Sequence, residues 1–282
     1  MWRSLLFIPV LEDRFIAKAA ERGADAILLD LEAGVADDRK AEARGVLGSV
    51  VARLSSDVTT TVCINAEREA ASLDLDVAVI PGVSALHLAL CEDPDHVREV
   101  ADRVSQLEKE REIAPGTVRL VAMLESPAAM LRAREIATAS PRMAGLTLGM
   151  EDYATAMGTT PNADLLRPAC YQITQAARAA GIAPLAVPAS MANFRDAEEM
   201  ESAAGWARRI GAVGGYAVHP VQVEILNRVF APSEEEIAWA RRVTDAAAQA
   251  RQDGAGVFMV DGRMVDLPII TRARAIIDRQ GD

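Results

Sequence analysis

The sequence predicts a (β/α)8 TIM barrel with a C-terminal helix–hairpin–helix extension, on three observations. Short apolar runs alternate with amphipathic segments eight times within roughly 230 residues, the size of such a barrel. The runs are apolar throughout rather than at every second residue, as a parallel sheet buried on both faces requires. The competing architecture is a doubly wound open sheet. Its first turn is normally a glycine-rich phosphate loop, whereas this chain reads Pro9-Val10-Leu11-Glu12 there.

In order, SLLFIPV (4–10) reads as the first strand and 11–22 as its helix. AILLDLE (26–32) is the second strand, followed by a helix over 37–54. TTVCINA (60–66), rich in β-branched residues, is the third, with a short helix over 73–80 that stops at Pro81-Gly82. ALHLALC (85–91) is the fourth, with a charged helix over 95–111. VRLVAML (118–124) is the fifth and runs into Glu125-Ser126-Pro127, with a helix over 127–137. GLTLGM (145–150) is the sixth, followed by a long loop and a helix over 165–180. APLAVPA (183–189) with 195–210 and GGYAVH (214–219) with 220–229 complete the eight units.

The rhythm then changes. The segment 233–251 is an amphipathic helix, with Ser233 as N-cap and Glu234, Glu235 and Glu236 complementing the helix dipole. Asp261-Gly262 between apolar residues signals a hairpin, and 269–279 reads as a last helix. The expected division is a catalytic barrel over 1–232 and an extension or lid over 233–282 that contacts a neighbouring subunit.

Aromatic residues make up only 4% of the chain against 50% hydrophobic, so the core must be built from Ala, Val, Leu, Ile and Met. A net charge of −11 leaves no overall basic footprint for nucleic acid and no attraction to anionic membranes, while an anionic small-molecule partner stays open because local Arg placement matters more than net charge. The apolar stretch at the N-terminus is too short for a signal segment or a membrane span. Cys63, Cys91 and Cys170 form no CxxC pair, as expected of reduced thiols in a cytoplasmic protein.

In a barrel of this type, reacting groups gather at the C-terminal ends of the strands. Those ends hold Asp30 with Glu32, Asn65, Glu125, Asp152 and His219. Glu125 and Asp152 close two successive strands, and two oxygen ligands on rigid elements suit a hard cation such as Mg²⁺. Such a cation also reconciles so many acids with an anionic substrate. Each residue has a plainer alternative. Glu125 can start a helix, Asp152 can be an N-cap, Asp30 can pair with Lys40 or Arg44, and His219 can be structural. Arg3 can grip a carboxylate only if the first strand begins later than drawn.

Several segments, in order, resemble the citrate lyase β-subunit-like family within the HpcH/HpaI aldolase group. They are RSLLFIP, DAILLDLEAGV with Lys40 and Arg44, MLESPAAM, LGMEDYATAMG, GYAVHPVQVEILNRVFAPSEEEI and DGRMVDLPIITRARAII. The resemblance implies a Mg²⁺-dependent carbon–carbon lyase that makes or breaks a short 3-hydroxyacyl-CoA such as citryl-CoA or malyl-CoA. It implies Glu125 and Asp152 as metal ligands, and Asp266, Glu32 and Asp30 as catalytic groups. Asn65, Arg68, Glu125, Arg3 and His219 are the expected substrate-binding residues. A homo-oligomer, trimer or hexamer, is expected, with the tail capping a neighbour's site.

The chain also departs from the family pattern. Cys63-Ile64-Asn65 stands where the family has Arg-x-Asn, and Arg68 is the nearest replacement for that charge. The acidic pair after strand two is reduced to Glu32-Ala33, Val187-Pro188 replaces an aspartate, and Gly214-Gly215 replaces Gly-Lys. Alternatives of the same fold are a CoA-independent oxo-acid aldolase, a thioester hydrolase, or a non-catalytic ligand-binding homologue.

Overall fold

The computed structural model describes residues 2–279. Residues Trp2–Phe230 form one unit and the chain from Ala231 onward another. The first unit contains β1 (Ser4–Pro9), β2 (Ala26–Asp30), β3 (Thr59–Ile64), β4 (Val83–Leu88), β5 (Arg119–Leu124), β6 (Met143–Leu148), β7 (Ala183–Pro184) and β8 (Gly215–Ala217). All eight lie in one curled parallel sheet in the order β7-β6-β5-β4-β3-β2-β1-β8, a TIM-barrel-like arrangement. At the seam between β7 and β8, the Val213 N–H donates to the Pro184 carbonyl at 3.0 Å.

Side chains alternate across each strand, so one parity faces the barrel axis and the other the helices. The outer layer is one large cluster that includes Leu6, Ile8, Ile27, Leu29, Val62 and Ile64. The inner cluster is smaller and holds Leu5, Ala26, Leu28, Cys63, Val121, Met123 and Tyr216. Extending the inner rows by one step leads to Asp30 from Ala26 and Leu28, and to Glu125 from Val121 and Met123. Backbone alternation thus aims these two acids at the mouth of the barrel.

The interior also carries a polar pair. His87 Nδ1 lies 2.8 Å from the Tyr216 hydroxyl, and the rings meet edge to face at 5.6 Å. Burial lowers the His87 pKa from 6.5 to about 3. The unfolded chain therefore takes up a proton in that window that the native chain refuses. The resulting stability is present above pH 6.5 and is lost as the pH falls through the window. The expected slope reaches about 1.4 kcal/mol per pH unit. Urea unfolding from neutral pH down to about 5 checks this. His87→Gln, which keeps a partner for Tyr216, should flatten the slope; parallel slopes would refute the assignment.

Several boundaries differ from the sequence expectation. The segment 11–22 is not one helix but a helix over Asp13–Ile16 and a 3₁₀ turn over Ala20–Arg22. Between them, Lys18 and Ala19 bond to carbonyls three residues back, which tightens the coil. The helix expected over 73–80 starts earlier and spans Arg68–Ala78. The expected strand over 183–189 pairs only at Ala183–Pro184, because Pro184 and Pro188 have no N–H to donate to a ladder.

The second unit is a helix over Glu234–Gln252, an antiparallel hairpin of β9 (Phe258–Val260) and β10 (Arg263–Val265), and a helix over Leu267–Asp278. Ser233 and Glu236 form a reciprocal capping box. Asp261 and Gly262 both have positive φ, 50° and 72°, as the tight hairpin turn requires. Ala240, Val243, Val265 and Ala273 form its small core. Among the described residues, no helix is long and apolar enough to cross a membrane.

Candidate active site

Glu125 follows β5 directly. The task of capping the next helix falls to Ser126, whose hydroxyl accepts the Ala129 N–H at 3.1 Å, so the glutamate is free for other work. It is only 6% exposed and rests on Gly149. A Cβ added at Gly149 would meet Glu125 Cδ at 2.5 Å, so any other residue there would push this carboxylate out of its seat. Leu90, held at a left-handed φ of 45°, turns its N–H toward Glu125. That conformation costs a non-glycine residue roughly 1–2 kcal/mol. Burial, followed by the charge of Asp152 and then that of Glu32, pushes the Glu125 pKa up to about 8, against the opposing Leu90 N–H.

Asp152 lies in the first turn of the helix Met150–Ala156. Gly149 is the N-cap there, so Asp152 is not a cap; it is exposed and within hydrogen-bonding reach of Glu125. The two acids from adjacent strands therefore meet. Asp30 engages both oxygens with backbone donors, Glu32 N–H and Gly34 N–H, each at 2.7 Å. It pairs with neither Lys40 nor Arg44: Lys40 Nζ bonds the Leu31 and Glu32 carbonyls, and Arg44 holds Asp74. Asp30 thus shapes the turn that presents Glu32. Glu32 is half-buried, and burial with the charges of Asp30 and Asp152 raises its pKa.

Ligand atoms of Asp30, Glu32 and Cys63 also lie within 4.8 Å of one another. Cys63 does not make this a thiolate metal site. Sulfur is a soft ligand that does not suit a hard cation such as Mg²⁺, and burial, reinforced by Asp30, raises the thiol's pKa in the absence of metal. The oxygen donors of Glu125, Asp152 and Glu32 instead match a hard cation, whose charge would relieve the repulsion that raises Glu125.

These acids line a cavity of about 750 Å³, together with Pro9, Met150, Met191 and His219. His219 stacks on Phe194 at 5.1 Å. Its Nδ1 accepts the Val221 N–H at 3.3 Å, so in the neutral ring Nε2 carries the proton.

Three expected substrate-binding residues are not in the cavity lining. Arg3 sits at the opposite end of β1 and forms a fork to Asp25, with Nε and Nη2 at 2.9 and 2.6 Å. Arg68 opens the helix Arg68–Ala78 and bonds Glu99 at 2.9 Å, because that helix starts five residues before its expected position. Asn65 turns its amide to the Leu31 carbonyl and to Asp74, at 2.9 and 2.6 Å. Asp266 belongs to the second unit, where it is the N-cap residue of Leu267–Asp278 yet makes no side-chain cap bond.

Sequence reasoning missed Asp74, Phe194 and Ser190, which donates to Glu151. None of these had a local signal. Gly149 did have one, since it follows the inward row Gly145–Thr147 beside Glu125.

A sequence model of the HpcH/HpaI aldolase/citrate lyase family matches residues 3–220. The citrate lyase subunit beta of Escherichia coli (strain K12) is 35% identical over 281 residues, covering 98% of this chain and 92% of that protein. A (3S)-malyl-CoA thioesterase of Cereibacter sphaeroides (strain ATCC 17029 / ATH 2.4.9) is 33% identical over 285 residues, covering 97% and 92%. Protein CitE from Mycobacterium tuberculosis, solved with magnesium, acetoacetate and coenzyme A, superposes with a TM-score of 0.76 at 30% identity, covering 99% and 98%. The chain belongs to the HpcH/HpaI aldolase/citrate lyase family.

Proposed function

We propose that this chain is a Mg²⁺-dependent carbon–carbon lyase that cleaves or forms a short 3-hydroxyacyl-CoA. The observation that carries this is the buried Glu125 carboxylate, seated on Gly149 beside Asp152 in a chain of this family. The crystallised relative with magnesium, acetoacetate and coenzyme A supports it. Glu125 and Asp152 hold the cation, with Glu32 beside them. When bound, Mg²⁺ supplies positive charge for a substrate oxygen at which negative charge develops.

The chain's own residues do the rest. Cleavage requires loss of the hydroxyl proton, rupture of the carbon–carbon bond to give an oxo acid, and return of a proton to the thioester enolate carbon. Glu32, whose pKa is raised by burial and by the charges of Asp30 and Asp152, handles one of these protons from the cavity wall. Asp30 positions Glu32 through the turn at 30–34. His219 offers its Nε2–H to a ligand oxygen. Asp266, whose carboxylate is free of a capping bond, serves the enolate proton from the tail of another copy.

The direct test is to incubate the purified chain with Mg²⁺ and malyl-CoA or citryl-CoA and assay acetyl-CoA together with the oxo acid. EDTA should abolish release and Mg²⁺ should restore it. No cleavage of either thioester would overturn the reading, as would cleavage of the free acids at equal rates. Gly149→Ala should weaken Mg²⁺ binding by about 10- to 100-fold, because its methyl displaces Glu125. Wild-type affinity in a calorimetric titration would contradict that role.

The tail reading carries its own test. Met259 and Met264, paired across the hairpin, are 62% and 58% exposed, as a surface that docks on another copy would be. Truncation after Pro232 should disrupt assembly in sedimentation and reduce turnover together; a fully active monomer would contradict it.

A further inference from the structure

The cavity is charged in a one-sided way. Five lining side chains are carboxylates: Asp30, Glu32, Glu125, Glu151 and Asp152. Deeper in the lining stand neutral groups. Cys63 is only 2% exposed, with its Sγ 4.0 Å from Met123 Sδ, and Ala89 is buried beside them. A ligand anion placed against either surface would face repulsion or unpaired desolvation.

Arg22 is the one permanently cationic side chain in this lining among the described residues. It closes the 3₁₀ turn Ala20–Arg22. Other arginines of this part of the chain are engaged. Arg3 holds Asp25, Arg14 holds Glu12 and covers the Phe15 ring, Arg39 holds Glu42, and Arg44 holds Asp74. Arg22 has no hydrogen bond or ion pair among the described residues. Its five donors, in a planar fork suited to carboxylate or phosphate, are left for a group the protein does not supply.

We propose that Arg22 anchors a second anionic group of the ligand, separate from the group drawn to the cation at Glu125 and Asp152. This rests on the lyase reading of the same cavity. The anion is either a second carboxylate on the short acid or a phosphate of the coenzyme, and Arg22 sets specificity for ligands that carry it.

Calorimetric titration of the full chain with Mg²⁺ present tests this, comparing wild type with Arg22→Gln and Arg22→Lys. The probes are oxaloacetate, pyruvate (one carboxylate), coenzyme A and pantetheine (no phosphate). Arg22→Gln should weaken one doubly anionic probe by about 10- to 100-fold, the loss of a charge-assisted pair. Arg22→Lys should recover part of the loss. A loss confined to oxaloacetate identifies a carboxylate. A loss confined to coenzyme A, with pantetheine unchanged, identifies a phosphate. Equal binding of both probes by wild type and Arg22→Gln would overturn the proposal, as would an equal loss for pyruvate. Wild-type protein that binds neither oxaloacetate nor coenzyme A would overturn it as well. Failure of the lyase reading shows separately, as no Mg²⁺-dependent thioester cleavage by wild type, because anion binding at Arg22 needs no turnover.

Discussion

Glu125→Gln should lower kcat/KM for thioester cleavage by about 10³-fold, the several kcal/mol that a bound divalent cation supplies to developing charge. Asp152→Asn should do the same if both carboxylates hold one ion, as proposed. The fold should survive both changes. Glu125 is buried, repelled by Asp152 and Glu32, and neutralising it removes an unfavourable charge rather than a supporting one. Thermal melting of Glu125→Gln without Mg²⁺ should therefore match or exceed wild type, while the rise in Tm on adding Mg²⁺ disappears. Wild-type rates in either variant would end the metal assignment. A collapsed fold in Glu125→Gln would show that the carboxylate is structural.

Asp74→Ala should destabilise the protein by about 3–5 kcal/mol, the cost of breaking a buried ion pair from one side. Asp74 is fully buried and accepts from Arg44 Nε at 2.7 Å, from the Asn65 amide at 2.6 Å and from the Asn65 backbone N–H at 2.8 Å. Removing it leaves a largely buried guanidinium without its counter-charge and two Asn65 N–H groups without this acceptor. The loss should appear as a lower urea midpoint at unchanged slope. Asp74→Asn, which keeps an acceptor, should cost less. If Asp74→Ala unfolds at the wild-type midpoint, the network carries no net stability.

The same residues show what could be read from the sequence. The eight apolar runs were visible because each strand buries both faces, and burial leaves a compositional trace in consecutive residues. Glu125, Asp152 and Glu32 were visible because strand ends in this architecture are where polar groups converge. The Asp-Gly hairpin was visible because positive φ at two successive positions restricts residue choice. Helix starts were less legible. Beginning the third helix at Arg68 rather than at 73 turned a candidate substrate arginine toward Glu99. Arg3 stands at the start of the first strand as read, but its pairing was not legible: its partner Asp25 lies 22 residues on, with no periodic signal linking them.

The sequence by itself determined the barrel rhythm, the hairpin tail and the meeting of Glu125 and Asp152, the pair proposed to hold a hard cation. Each follows from local chemistry repeated along the chain. Tertiary structure alone decided that Glu125 packs on Gly149 and is forced up in pKa, that Asp74 rather than Asp30 pairs with Arg44, and that Arg22, with no partner among the described residues, lines an acidic cavity. These outcomes depend on which distant side chains share a small volume, and electrostatic and steric terms act through space rather than along the backbone.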